Sequence, residues 1–137
     1  RILFGNAASL NAVDAINYSN VPVLIIHGTN DETVTYNGAS IIANLDAITN
    51  PYVKVISMSE PTKNGHNNLF RSNNAIQYIN AINILYRELF ERYEQSIPYE
   101  IRQDFYANID RNLVQELDLD LMSSIHEFFR ECLSRVQ

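Results

Sequence analysis

The run Val21-Pro22-Val23-Leu24-Ile25-Ile26-His27-Gly28 constrains this chain more than any other feature. It is short, rich in β-branched residues, and apolar at both odd and even positions. A strand with one wet face alternates apolar with polar, whereas a run apolar on both faces predicts a parallel strand covered by helices on each side. Pro22 lacks an N–H but is tolerated at the start of a strand. Gly28 ends the run and opens a polar loop.

Downstream the period changes. Between Asn37 and Ile48 the apolar residues Ala39, Ile42, Leu45 and Ile48 recur at helical spacing. Asn50-Pro51 should close that helix, because the residue before a proline is pushed out of the α region. Tyr52-Val53-Lys54-Val55-Ile56-Ser57 then reads as a second strand, completing a strand–helix–strand unit of the kind that makes parallel sheets. Residues 1–20 read as a weakly helical lead-in ending in the turn Tyr18-Ser19-Asn20. After a loop from Met58 to Asn68, helical spacing runs from Leu69 to about Tyr93. Its broad apolar face comprises Ile76, Ile79, Ile82, Leu85, Tyr86, Leu89, Phe90 and Tyr93. Ile97-Pro98 breaks that helix, Ser96 is a candidate cap, and Pro98 suits the first turn of the next helix. The remainder to Val136 is helical in character, with a stripe at Val114, Leu117, Leu121, Ile125, Phe128 and Cys132. Asp110 and Asp120 are candidate helix starts, giving two or three helices.

The 137 residues allow one domain of ordinary size, and 46% hydrophobic with 19% charged residues fits a globular chain. A net charge of −6 without a basic cluster disfavours nucleic acid and anionic membrane surfaces as partners. The longest apolar run, Val21 to Ile26, is far short of the roughly 20 residues a membrane helix needs. No secretory signal is visible, because Arg1-Ile2-Leu3-Phe4-Gly5 leads into a polar stretch and not a long apolar run. The single cysteine, Cys132, excludes an internal disulfide and points to a reducing compartment, so the expected location is the cytoplasm. Cys132 reads as a structural thiol. The three histidines and one cysteine are scattered, so no metal site is expected.

Two residues carry the chemistry. The first strand ends in His27-Gly28-Thr29-Asn30-Asp31, and the second leads to a loop holding Asn64-Gly65-His66. Ligands of open α/β sheets bind outside the carboxyl ends of the strands. A carboxylate there can accept the Nδ1–H of a histidine, fix its tautomer, and stabilise the imidazolium formed when Nε2 takes a proton. Taken singly, Asp31 could shape a turn and His66 could merely be exposed; the pairing at two strand ends favours catalysis. His27, at the end of a buried strand, reads as structural. His126, beside the stripe position Ile125, reads as a surface residue, and Glu32 as solvent-facing.

The segment from Val21 through Asp31 to Val34 resembles the penultimate strand and acid loop of the α/β-hydrolases. The nearest subgroup is that of bacterial prolyl-oligopeptidase-like and acylaminoacyl-peptidase-like enzymes. Gly65-His66-Asn67-Asn68-Leu69-Phe70 is similar to the family's histidine loop leading into its last helix. The resemblance covers residues 20–93. It implies the C-terminal portion of an α/β-hydrolase fold, a parallel βαβ unit plus a long helix, in residues 1–93. Residues 94–137 would be an all-helical extension packed on it. Asp31 would be the triad acid and His66 the general base of a serine hydrolase acting on an ester, amide or peptide, with no cofactor needed.

The nucleophile is the departure. A Gly-x-Ser-x-Gly elbow exposes the serine on a strained strand-to-helix turn, and Gly5, Gly28, Gly38 and Gly65 include no pair with that spacing. Ser9, Ser40, Ser57 and Ser59 all sit in the wrong context. The serine and the oxyanion hole are therefore expected upstream of Arg1, and the chain by itself should be inactive. Stripped of sheet neighbours, it is expected to form a homo-oligomer. The alternative is a noncatalytic α/β module whose helical tail, Leu113 to Val136, binds a protein partner.

Overall fold

The computed structural model describes residues 11–38 and 40–135. It is a mixed α/β structure with one two-stranded parallel sheet and several helices. The described residues form two compact units, one holding residues up to Leu69 together with those from Ser124 onward, the other Phe70–Ser123.

In the first unit, α1 spans Ala12–Ser19, opened by the Asn11 side chain accepting from the Val13 N–H and closed by Asn20 in the left-handed region at φ 51°. Strand β1, Val23–Gly28, pairs in parallel with β2, Val53–Met58, from Val23 opposite Val53 to Gly28 opposite Met58. Buried Asn50 ties these pieces together. Its Nδ2 donates to the carbonyls of Ile16 and Val21, and its Oδ1 accepts from the Tyr52 N–H, each at 2.9 Å. One side chain thus ties the end of α1 to the entry of both strands, and its own buried polar atoms are all satisfied by main-chain groups.

Two expectations need correction here. The segment expected as a helix over Asn37–Ile48 is a short 3-10 helix, Ile41–Ala47, kinked at Asn44 (φ −118°). Local polar bonds compete with α-helical ones: the Ser40 hydroxyl donates to the Tyr36 carbonyl and the Asn44 amide to the Ser40 carbonyl. Ser40 precedes this helix instead of lying inside it, and Ala39 is outside the described residues. Nor is the sheet covered on both faces. Val23 through His27 are only half-buried, and Val55 is 37% exposed.

Part of one face is nevertheless covered. Leu24, Lys54 and Ile56 share a side of the sheet and line a cavity of about 360 Å³ with Phe128 and Glu131 of α5, Leu119–Ser134. Lys54 pairs with Glu131, and the Arg135 guanidinium sits 4.7 Å from the centre of the Tyr52 ring. Among the described residues of this unit, Ile42 and Phe128 are the buried large apolar side chains. Cys132 is half-buried.

The second unit is built on α2, Asn73–Arg92, capped by the Ser72 hydroxyl accepting from the Ala75 N–H. The helix begins four residues later than the apolar spacing from Leu69 suggests, because Arg71 bridges Leu117 and Ser72 N–H donates to the Glu116 carbonyl. Of its broad apolar face only Ile76 is buried, with Ala75 beside it; Leu85 and Phe90 are exposed. The chain reverses through Glu94 and Gln95, both at positive φ, and α3 spans Tyr99–Ala107 with Pro98 just before it. Ser96 makes no cap. Asp110 caps α4, Arg111–Val114, as its sequence position suggested. The start of α5 is capped by Asp118, two residues before the expected Asp120. The tail therefore holds three helices among its described residues. Leu121 of the stripe is buried, while Leu117 is exposed in the connection before α5.

Candidate active site

The site grows from the backbone at Gly28. This residue is buried, and a β-carbon there would stand 2.2 Å from the Asn64 carbonyl oxygen, so only glycine lets the loop before His66 lie against the end of β1. The Asn30 N–H donates to that same carbonyl at 2.9 Å, and the Thr29 N–H donates to the Met58 carbonyl at 3.0 Å. The acid loop and the histidine loop are thereby joined through their main chains before any side chain is considered.

Asp31 turns inward from this frame. Its side chain is 4% exposed, against 45% for His66. Oδ1 accepts from the Thr33 and Val34 N–H groups at 2.8 and 2.9 Å, an Asx-type turn that fixes the carboxylate plane. Oδ2 lies 2.8 Å from His66 Nδ1. A carboxylate only accepts, so Nδ1 carries the hydrogen and Nε2 of the neutral ring is the nitrogen able to take up a proton.

Burial pushes the Asp31 pKa up. The hydrogen bond from His66, those from the Val34 and Thr33 N–H groups, and the charge His66 can carry outweigh it and hold the carboxyl down at about 2. Asp31 is thus ionised at neutral pH, as an acid that orients a histidine must be. The two residues singled out in the sequence are brought together. Glu32 and His126 are exposed as expected.

His66 lines a depression of about 370 Å³ with Glu32, Thr33, Thr62, Asn64 and Asn67. Among the described residues no serine is in its lining. Ser57 Oγ is hydrogen-bonded to the Tyr36 hydroxyl at 2.6 Å, and Ser40 is buried with its hydroxyl on the Tyr36 carbonyl. Ser9 lies outside the described residues. Among the described residues no group of three potential ligands is arranged to hold a metal, and no helix is long and apolar enough to cross a membrane.

His27, read from the sequence as structural, lies beside the Asp31–His66 pair. His27 Nε2 is 2.9 Å from the Val34 carbonyl and 3.7 Å from Asp31 Oδ2. The available signal was its position at the last turn of a strand, four residues before the acid.

No protein-family model, curated protein or solved structure matches the chain.

Proposed function

We propose that these residues supply the acid and general base of a serine hydrolase of the α/β-hydrolase type, of bacterial origin and cytoplasmic. One observation carries the proposal: buried Asp31 bonded to exposed His66 at 2.8 Å, each in the loop following one of two neighbouring parallel strands. The nucleophilic serine belongs to a part of the protein outside these residues. Its Oγ attacks an ester or amide carbonyl while His66 Nε2 takes its proton. The imidazolium, stabilised by ionised Asp31, returns that proton to the leaving alcohol or amine. Water then attacks the acyl-enzyme in the same way, with His66 again as base. No cofactor takes part.

The test is hydrolysis of p-nitrophenyl acetate by the full-length protein. His66→Gln and Asp31→Asn should each lower kcat by about 10⁴-fold. Activity unchanged in either variant would remove the assignment.

A second reading, a noncatalytic module with a protein-binding tail, is favoured by the exposure of Phe129 and Leu133 on α5 (60% and 69%). The same assay separates the two, since an interaction module has no hydrolysis to lose.

A further inference from the structure

We infer that His27 is a positioning residue: its Nε2–H holds the Val34 carbonyl and so keeps the Asp31 carboxylate aimed at His66. The role deepens the hydrolase reading and rests on it for its catalytic meaning, but its geometric basis is independent.

A carbonyl oxygen only accepts, so at 2.9 Å His27 Nε2 must carry the hydrogen. Val34 is then gripped twice. Its N–H donates to Asp31 Oδ1 at 2.9 Å, while its C=O accepts from His27. Both polar groups of one residue are spent on closing the acid loop back onto the strand that precedes it. Freeing the carbonyl releases the Val34–Thr35 peptide from the strand, so the acid loop can drift and carry the Val34 Cα, with the N–H on its other side, away from Asp31. The carboxylate then loses one of the two main-chain donors that fix Oδ1, and with it the alignment of Oδ2 on His66 Nδ1.

The His27 ring is itself held. It meets the Tyr36 ring edge-on at 5.7 Å between centroids and an angle of 66°. The Tyr36 hydroxyl is anchored on Ser57 Oγ at the end of β2. His27 is 13% exposed at its side chain, so no water layer substitutes freely for its bond. The chain of contacts from Ser57 through Tyr36, His27 and Val34 to Asp31 locks rotamers around the acid, which is what a preorganised site requires.

The experiment is NMR of the purified chain labelled with ¹⁵N-histidine, reading the His66 Nδ1–H resonance protected by Asp31. Gln places its amide nitrogen where His has Nε2, so His27→Gln should keep the resonance. His27→Leu, of similar bulk but without a donor, should lose it while the amide spectrum stays folded. If His27→Leu does not fold, His27→Asn decides on the same reading, because its shorter amide cannot reach the Val34 carbonyl. In the full-length protein kcat should fall roughly tenfold to a hundredfold in His27→Leu, with KM little changed, and recover in His27→Gln. A resonance that persists in the folded Leu or Asn variant overturns the inference and leaves the proposed function standing, as does its loss in His27→Gln. Absence of hydrolysis at every residue 27 overturns the proposed function instead, and the resonance still decides the role of His27.

Discussion

The carbonyl oxygen of Asn64 stands 2.2 Å from where residue 28 would carry a β-carbon. That approach sets where the histidine loop lies, and His66 comes only two residues later. Gly28→Ala must push the Asn64 backbone away, and a backbone carbonyl cannot rotate aside as a side chain would. Overpacking of this kind typically costs about 1–3 kcal/mol, and the upper half of that range is expected in urea unfolding. A Gly28→Ala chain as stable as the parent would mean the two loops are not in contact.

The Asp31 carboxyl should titrate near pH 2 in the folded chain, below the ordinary value of 3.8. Its folded-state pKa is depressed, so its contribution to stability is fully present above the unfolded value and lost as pH falls through about 2. Asp31→Asn lacks this group, so the stability difference between parent and variant should shrink on acidification from pH 4 to pH 2. Carbon-detected NMR titration of the Asp31 side chain gives the midpoint directly. A midpoint at 3.8 or higher would show that the three donors do not grip the carboxylate.

The apolar run before Gly28 and the β-branched run at Val53 were legible in the sequence as strands, and the Asp31–His66 pairing came from their order. The 3-10 helix was not, because its apolar spacing is helical while Ser40 and Asn44 redirect the backbone bonds. The part of His27 was hidden for a different reason. Its partner is a main-chain carbonyl seven residues on, and such a bond leaves no mark on residue types. The knot at Asn50 was equally silent: next to Pro51 an asparagine reads as a turn, not as a buried fastener.

Asn50→Ala should therefore be more harmful than its position beside a proline suggests. It removes one bond each from the Ile16 and Val21 carbonyls and the Tyr52 N–H, and a hydrogen bond lost typically costs about 0.5–1.5 kcal/mol. A loss of at least about 2 kcal/mol in thermal unfolding is expected after partial rehydration. A loss below about 0.5 kcal/mol, the usual range for an exposed site, would contradict the role assigned to it.

Strands β1 and β2 have no further neighbour among the described residues, and Val55 is exposed. Unpaired strand edges flanked by apolar side chains are templates for another chain. The purified chain should therefore run as a dimer or larger assembly in light scattering across a concentration series. A monomer mass at every concentration, with slow amide exchange throughout Val23 to Ile26, would show that the edge is covered from within.

Purified residues 1–137 should hydrolyse p-nitrophenyl esters no faster than their Asp31→Ala variant, since the sequence holds no Gly-x-Ser-x-Gly elbow and no described serine lines the depression beside His66. The central claim is tested most directly by treating the full-length protein with a serine-reactive phosphonate and locating the adduct by mass spectrometry. The account predicts one modified serine outside residues 1–137, and loss of that labelling in His66→Gln. No adduct on the full-length protein, or labelling at undiminished rate in His66→Gln, would contradict it.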